Sequence, residues 1–433
     1  MSNADTWQPW QREVVLASFL GWMLDAFDYF LVVFVLRRLA TDFHTDIRSV
    51  TWAITLTLMM RPIGAFLFGR VADRYGRRPA LMASVLLYSL LECASAFAGS
   101  LTVFIVLRAL YGIAMGGEWG VGASLAFESV PVRSRGLVSG LLQAGYPTGY
   151  LVAGILYGLV FDHIGWRGMF IIGAAPALLV LYISARIPES AAWRALASPG
   201  AGTRQGAGTR RGAGDLWSGL AAHWPLALYS IVLMAAFNFF SHGTQDLYPT
   251  FLGAQRGFST HTISIVTVVY NVGAIIGGLC FGRLSSVIGR RYAIALAAAL
   301  ALPVLPFWAL AQTPLAVAAA AFAMQFMVQG AWGVVPVHLN ELSPGNMRGT
   351  FPGVVYQLGN LVAASNATLQ AIVAVHEGSS AHPDYAFALV LVCALTAVAL
   401  LVLALAGPER RDVRLDVDQP PPVERAAVPE GTS

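Results

Sequence analysis

A stripe of polar side chains follows an apolar run near the middle of the chain. Its seven members are Asn238, Ser241, His242, Thr244, Gln245, Asp246 and Thr250. On a helix, positions 238, 241, 242 and 245 share one face, and positions 246 and 250 continue along it. Because residues 226–237 are apolar, the stripe enters the membrane, where polar groups usually face a water-filled path or each other. The stripe therefore predicts a polar cavity inside the bilayer and a protein that moves a polar solute.

The side chains of this stripe are suited to binding an oxygen-rich solute. His242 and Asp246 lie one helical turn apart, and a histidine beside a carboxylate can exchange a proton near neutral pH. A structural histidine is the alternative. Neutral donors and acceptors for a hydroxy or keto oxygen are provided by Asn238, Gln245, Gln357 and Asn360. The alternative for these four is hydrogen bonding between helices, which is common in membranes.

Arg61 lies in the middle of an apolar segment, in the sequence TLMMRPIGAF. An arginine stays protonated, and its planar fork fits a carboxylate with two hydrogen bonds. We therefore expect Arg61 to anchor the carboxylate of a substrate. The alternative is a structural ion pair with Asp25, Asp28 or a group on another helix.

Asp25 and Asp28 are one turn apart on one face of the first apolar segment. Two carboxylates that are close and partly desolvated should not both stay ionised, which is the property that a proton carrier needs. The alternatives are a static ion pair with Arg61 or a position near the outer water. Glu118 is a further candidate, either as a proton carrier or as an ion-pair partner of Arg108.

The composition is that of a polytopic membrane protein, with 57% hydrophobic residues, 12% charged residues and a mean hydropathy of +0.64. The basic residues fall in short, separated loops, so the pI of about 9.0 reflects membrane topology and not nucleic-acid binding. Cys93, Cys280 and Cys393 lie far apart, and neither a disulfide framework nor a metal motif is expected. The N-terminus lacks the pattern of a cleaved signal. Since no Walker-type loop is present, we expect neither ATP nor a cofactor. The candidate proton carriers favour a proton gradient as the driving force.

Apolar runs of about 20 residues predict an all-α protein with twelve transmembrane helices. They lie near 14–36, 50–72, 79–98, 101–125, 136–160, 166–186, 225–250, 260–284, 292–311, 314–338, 349–373 and 384–406. We expect an N-terminal six-helix half (1–186), a flexible linker (187–224), a C-terminal six-helix half (225–406) and a disordered tail (407–433).

The arginines set the expected orientation. The loops after the even-numbered helices 2 to 10, together with both termini, hold 20 arginines, whereas the other loops hold five. The positive-inside rule therefore places the linker and both termini in the cytoplasm.

The two predicted halves repeat with an offset of 213 residues. GRVADRYGRR at 69–78 aligns with GRLSSVIGRR at 282–291, and the same offset aligns Glu128 with Glu341 and Arg135 with Arg348. Two six-helix halves in the same orientation imply a parallel repeat about an axis along the membrane normal. The offset also pairs Asp25 with Asn238, which gives the polar stripe an acidic counterpart in the first helix.

These repeated segments resemble a known superfamily. GRVADRYGRR resembles the loop 2–3 signature of the major facilitator superfamily, and RALYGIAMGG from Arg108 resembles its fourth-helix motif. PESAAW from Pro188 is similar to the motif that closes its sixth helix. The resemblance implies the major facilitator fold and alternating access by a rocker switch. Within it, six residues are expected to form a conformational latch: Asp73, Arg74, Arg77, Arg78, Glu128 and Arg135.

The polar stripe itself carries a narrower resemblance. The pattern Asn-x-x-Ser-His-x-Thr-Gln-Asp-x-x-x-Thr at 238–250 matches the signature of the yeast lactate permeases and their bacterial relatives, in the sialate:proton symporter family. The resemblance implies a monomeric inner-membrane symporter of a monocarboxylate such as lactate or pyruvate with a proton, and no enzyme. Asn238, His242, Gln245, Gln357 and Asn360 would then bind substrate with Arg61, and Asp25, Asp28, Asp246 or Glu118 would carry the proton. A sialic-acid or aromatic-acid symporter, an efflux antiporter and a nutrient sensor remain as alternatives.

Overall fold

A computed structural model describes residues 7–197, 223–379, 382–411 and 413, and these residues are folded almost entirely into helices. The first half contains α1 (Pro9–Asp42), α2 (Ile47–Tyr75), α3 (Arg77–Ala96), α4 (Leu101–Gly116), α5 (Glu118–Ser129), α6 (Arg135–Ile172) and α7 (Pro176–Arg186). A short helix, α8 (Ala191–Ala197), follows within the predicted linker. Residues 198–222 of that linker and 414–433 of the predicted tail lie outside the described residues.

The second half contains α9 (Trp224–Gln245), α10 (Tyr248–Thr250) with the π-helical turn Phe251–Gln255, α11 (Thr260–Ile288), α12 (Arg290–Leu310), α13 (Pro314–Trp332), α14 (Val335–Leu342), α15 (Phe351–Ala363), α16 (Asn366–Glu377) and α17 (Tyr385–Ala406). Within the described residues, eleven helical segments are long and apolar enough to cross a membrane. One of them, Val132–Arg186, holds two predicted spans. At Gly165 (φ 63°) the backbone dihedral angles are not helical, and this residue lies between the predicted spans 136–160 and 166–186. This segment therefore contains two of the twelve predicted helices, and each of the other ten segments contains one.

Five predicted spans are interrupted. The span at 101–125 breaks at Gly117 into α4 and α5, and the span at 166–186 breaks after Ile172 into α6 and α7. The span at 225–250 breaks after Gln245 into α9 and α10, the span at 314–338 breaks after Trp332 into α13 and α14, and the span at 349–373 breaks after Ala363 into α15 and α16. At the first break, a Cβ on Gly117 would lie 2.2 Å from the Cβ of Phe68, so the chain there needs a residue without a side chain.

The two halves are structural repeats, because helix boundaries recur at the offset of 213 residues that the sequence predicted. The matching pairs are the ends Tyr75 and Ile288, the starts Arg77 and Arg290, the starts Leu101 and Pro314, and the ends Ser129 and Leu342. Gly76 and Gly289 join the equivalent helices with φ values of 116° and 103°, which favour glycine.

Each of these glycine turns is capped by a glutamate from the end of its own half. Glu189 accepts a hydrogen bond from the backbone N–H of Arg77 at 2.9 Å, and Glu409 accepts one from that of Arg291 at 3.0 Å. A carboxylate at a helix N-terminus accepts a hydrogen bond from a free N–H group and interacts favourably with the positive end of the helix dipole. The two loops, at 69–78 and 282–291, mark one end of the bundle, which we call the arginine-loop end.

The halves touch each other at the arginine-loop end. The carboxylate of Asp73 accepts hydrogen bonds from the N–H of Gly349 at 2.8 Å and the hydroxyl of Thr350 at 2.6 Å. Helices α6 and α11 approach so closely that a Cβ on Gly140 would lie 2.2 Å from the carbonyl oxygen of Gly278. These contacts join the two halves to each other at the arginine-loop end.

Candidate functional site

A cavity lies between the two halves and contains about 530 Å³ of atom-free space, including the part that is open to solvent. Helices α1, α2 and α6 form one wall, and α9, α13 and α15 form the other. Its lining residues are Trp22, Tyr29, Leu58, Arg61, Gln143, Tyr146, Asn238, Ser241, His242, Gln245, Gln329, Trp332, Tyr356 and Asn360.

Four of the seven members of the polar stripe face this cavity from the shared helix face that their spacing predicted, whereas Thr244, Asp246 and Thr250 do not line it. Asn238, Ser241, His242 and Gln245 all line it. They share a face of α9 because that helix continues without interruption to Gln245. The ring of His242 lies 3.1 Å from Asp246, so the predicted pairing across one turn is present.

Arg61 makes the ion pair with Asp25 that the sequence offered as an alternative, and it also lines the cavity, so its role as a substrate anchor stays a prediction. Its guanidinium lines the cavity, and its Nη2 donates to Oδ2 of Asp25 at 3.3 Å. The group is also within 5.8 Å of the centre of the Tyr29 ring and 2.7 Å of the sulfur of Met115. Only 5% of Arg61 is exposed, so its charge is largely shielded from water and needs the carboxylate as a partner.

Of the other predicted proton carriers, Asp246 is exposed, whereas Asp28 and Glu118 lie behind the cavity wall. Asp28 and Glu118 are buried, and within the described residues neither carboxylate has a hydrogen-bond partner. The alternative of a Glu118–Arg108 pair is wrong. Arg108 instead donates to Glu92 on the neighbouring helix α3 at 2.6 Å.

A row of glutamines on α13 was missed by the sequence reasoning. Gln325 donates to the hydroxyl of Thr244 at 2.9 Å and accepts from Gln245 at 3.1 Å. Gln329, one turn further, donates to the hydroxyl of Ser241 at 3.1 Å and lines the cavity. Their spacing of four residues inside an apolar helix was the available signal. Together they hold the side chains of the stripe in place.

Aromatic rings make up much of the remaining wall, and they too were not predicted. They are Trp22, Tyr29, Tyr146, Trp332 and Tyr356. Trp22, Trp332 and Tyr356, together with Trp119, form a cluster between the cavity and the arginine-loop end, which we call the aromatic layer. The ring centres of Trp119 and Tyr356 are 4.6 Å apart, and those of Trp332 and Tyr356 are 5.8 Å apart.

Of the two residues singled out on α15, only Asn360 lines the cavity. Gln357 is 3% exposed and lies among the residues behind the wall, so its contact with a substrate stays a prediction. Within the described part of the chain, no group of three His, Cys, Asp or Glu side chains could hold a metal ion.

The predicted latch residues lie at the arginine-loop end, and all of them except Arg74 take part in a network of polar contacts there. Arg77 contacts both Asp73 and Glu128 at 3.0 Å, and Arg290 repeats this contact with Glu341 at 2.9 Å in the second half. Two further arginines of the set contact backbone carbonyls: Arg78 that of Ser184, and Arg135 that of Val413. Arg74 is exposed and stacks on Tyr75 outside this network.

The comparisons with known proteins agree with this architecture. Residues 18–364, and in a second match 238–428, fit the family described as Major Facilitator Superfamily. The chain belongs to this superfamily. It is therefore a multi-pass membrane transporter, with two repeated halves around a central cavity.

Two relatives within the superfamily are described as acid transporters. The chain is 29% identical over 380 residues to a carboxylic acid transporter protein homolog of Saccharomyces cerevisiae, covering 84% of this chain but only 61% of the yeast protein. It is 28% identical over 356 residues to the sialic acid transporter NanX of Escherichia coli, covering 81% of this chain and 84% of NanX. Among solved structures, the proton:xylose symporter XylE superposes with a TM-score of 0.74 at 20% identity, covering 92% and 96% of the two chains, which shows the shared fold.

Proposed function

We propose that this transporter carries a small organic acid together with a proton, with monocarboxylates of the lactate and pyruvate type as its substrates. The observation that carries the proposal is the position of Arg61. It lines a polar cavity between the halves, yet its guanidinium is held by the carboxylate of Asp25 at 3.3 Å. A substrate carboxylate can bind there by taking the place of Asp25.

The guanidinium has the donors that this exchange requires. An arginine offers five N–H groups in a rigid fork, and the contact with Asp25 is made through Nη2. An incoming carboxylate can bind two of these donors side by side, which is the arrangement that arginine favours. Because little water reaches the group, this hydrogen bonding discriminates strongly between an anion and a neutral solute.

The opposite wall supports a second polar group on the substrate. Asn238, Ser241, His242 and Gln245 face Arg61 across the cavity with Asn360 and Gln329. These side chains offer both donors and acceptors, which suit the hydroxyl of a hydroxy acid or the carbonyl of a keto acid. The yeast and Escherichia coli relatives named above are described as transporters of carboxylic acid and sialic acid, respectively.

The same exchange couples the substrate to a proton. Asp25 is 2% exposed, and its Oδ1 has no hydrogen-bond partner within the described residues. When a substrate occupies Arg61, Asp25 loses its counter-charge and must take up a proton, because an unpaired buried charge is very costly. The fully loaded and the empty cavities are then balanced in charge, whereas a cavity holding substrate or proton alone is not. Only these charge-balanced states can change between the two conformations at low free-energy cost, so the transport of substrate and the transport of the proton are coupled.

A second candidate is an aromatic-acid or sialic-acid symporter that uses the same anchor. The five aromatic rings of the cavity wall favour it, because flat faces can stack on a substrate ring. Competition distinguishes the two candidates. If the polar wall determines substrate specificity, we expect lactate and pyruvate to inhibit uptake of the labelled acid more strongly than benzoate or sialate. If the aromatic rings determine it, we expect the reverse order.

The proposed function is tested with purified protein in liposomes. A pH gradient with the more acidic solution outside should drive labelled lactate into the liposomes, and a protonophore should abolish this accumulation. Lactate is then competed against pyruvate, acetate, benzoate and sialate. If none of these acids accumulates above protein-free liposomes, the proposal of proton-coupled acid transport is wrong.

A further inference from the structure

A second, smaller chamber lies beyond Trp22 from the main cavity. It is lined by Ser18, Trp22, Glu118, Trp119, Leu142 and Pro336, together with two small residues of α5. The volume open to the centre of a water molecule is about 10 Å³, against about 50 Å³ on the same measure in the main cavity, and it is close to the minimum for one bound water. The chamber is thus large enough for one water and too small for an organic acid.

The chamber contains polar groups that need a partner. Glu118 is 1% exposed, and both of its carboxylate oxygens lack a hydrogen-bond partner within the described residues. The indole N–H of Trp22, which lines the same chamber, also lacks a partner there. A single water could accept from Trp22 and donate to Glu118. An ionised carboxylate in such a place would be costly, so Glu118 holds a proton while the chamber is closed.

The position of Glu118 connects the chamber to the coupling pair. Its Oε1 lies 2.3 Å from the place that a Cβ would take on Gly21, so the carboxylate rests directly on α1. Asp25 is one turn further along the same face of α1. Asp25 on α1 and Arg61 on α2 act electrostatically on Glu118, and Glu118 in turn acts on Tyr88 on α3. Its charge state therefore depends on whether the Asp25–Arg61 pair is intact.

The chamber is closed by residues of the other half. Pro336, on α14, forms part of its wall. Around it, the N–H of Val337 donates to the hydroxyl of Ser139 at 3.1 Å, and Ser124 lies 3.0 Å from Asn340. Separation of the halves at the arginine-loop end would break these contacts and expose the chamber to water on that side. The aromatic layer would still lie between the chamber and the substrate cavity.

We propose that Glu118 and one water in this chamber form a proton relay that releases the coupling proton at the arginine-loop end, by a path that the substrate does not take. When the halves separate there, the carboxyl of Glu118 gives its proton to water. The resulting carboxylate, which rests on α1 one turn from Asp25, then takes the proton from Asp25. Asp25, again an anion, pairs with Arg61 once the substrate has left. One proton enters the relay and one leaves it in each cycle. This inference rests on the proposed function.

Glu118→Gln tests the relay in liposomes. We expect the variant to exchange labelled acid against internal unlabelled acid at a rate near that of the wild type, because exchange needs no net proton movement. Accumulation on a pH gradient should fall from about tenfold per pH unit to no accumulation. If Glu118→Gln accumulates substrate like the wild type, with the same proton uptake per substrate, the relay is wrong.

Gly21→Ala supplies a second test that keeps the acid. Its methyl group would displace the carboxylate of Glu118 from α1, so we expect the same loss of accumulation with exchange retained. Gly158→Ala is the matched control, because a Cβ at Gly158 meets nothing within 4 Å. Normal accumulation by Gly21→Ala would contradict the relay geometry.

Infrared difference spectroscopy separates the relay from the proposed function, since it needs no substrate. At neutral pH, the wild type minus Glu118→Gln spectrum should contain the carbonyl band of a protonated carboxyl group. If only carboxylate bands appear, Glu118 is ionised in the closed chamber and the relay fails, whatever acid is transported. Conversely, if the wild type transports no acid but the protonated band is present, the proposed function is wrong, whereas the protonation of Glu118 in the closed chamber is confirmed.

Discussion

Oδ2 of Asp25 lies 3.3 Å from Nη2 of Arg61, and this pair joins the first helix to the second at the wall of the cavity. Both side chains are almost fully buried, but only the arginine lines the space between the halves. A buried pair of this kind is sensitive to any competitor for one of its members, because the member left behind becomes an unpaired charge. The following predictions use this sensitivity.

Arg61→Lys should abolish or severely weaken uptake. Lysine keeps the positive charge but loses the planar fork that binds a carboxylate with two hydrogen bonds. Initial uptake rates in liposomes, corrected for the amount of inserted protein, measure the effect. Arg38→Lys is the control, because Arg38 is 59% exposed and pairs with Asp42 at the surface. Uptake at the wild-type rate in Arg61→Lys would remove Arg61 from the anchor role.

Asp25→Asn should separate exchange from accumulation. The amide keeps the shape of the carboxylate but cannot take up a proton, so the substrate can still bind to Arg61 and cross with it. We expect exchange to continue and accumulation on a pH gradient to disappear. Asp28→Asn and Asp246→Asn are measured in parallel. If Asp25→Asn concentrates substrate normally while one of the other two fails, the coupling group lies at that position instead.

His242→Ala and Gln245→Ala should each lower apparent affinity roughly ten- to a hundred-fold. A hydrogen bond to a charged group contributes about 1.5–3 kcal/mol, and 1.4 kcal/mol corresponds to a tenfold change. Folding should change little, because both side chains face the cavity. Concentration dependence of uptake gives the affinity, and melting of the detergent-solubilised protein gives the stability.

Cysteine labelling tests the same wall independently. In a background without native cysteines, cysteines at 238, 242 and 245 should react with water-soluble thiol reagents and be shielded by saturating substrate. Cysteines at 236 and 240 should not react, because neither position lines the cavity. Equal labelling at all positions, or shielding by none of the acids tested, would show that α9 is not the binding wall.

Glu92→Gln should destabilise the protein without changing substrate affinity. It leaves Arg108 as a buried charge without its partner at 2.6 Å, which costs about 3–5 kcal/mol. Glu13→Gln is the control, since Glu13 faces Arg186 at the surface, where an ion pair is worth about 0–1 kcal/mol. A melting temperature of Glu92→Gln equal to that of the control would contradict a structural role for the pair.

The repeat and the polar face of α9 could be predicted from the sequence because both depend on spacing alone. An offset of 213 residues fixes equivalent helix boundaries, and helical periodicity fixes that 238, 241, 242 and 245 share a face. The partners across helices could not be predicted in this way. Arg108 had two acids within reach of its helix, and the choice of Glu92 over Glu118 depends on how α3 packs on α4.

The glutamines of α13 show a second limit. Gln325 and Gln329 stand alone among apolar residues, and a pattern of that kind is equally consistent with helix packing and with a cavity. Only the structure shows that Gln329 reaches the cavity whereas Gln325 supports its neighbours. The breaks at Gly117 and after Trp332 were hidden for a related reason, since apolar composition continues through them.

The division of chemistry between the repeated halves has an evolutionary consequence. Asp25, Arg61 and Glu118 precede residue 187, whereas the amide and hydroxyl side chains of α9, α13 and α15 follow residue 224. Under the proposed function, the groups that draw on the proton gradient therefore lie in one copy of an ancient duplication, and most groups that recognise the rest of the solute lie in the other. Selection for a new nutrient can act on the second copy while the energy source of the first copy is preserved.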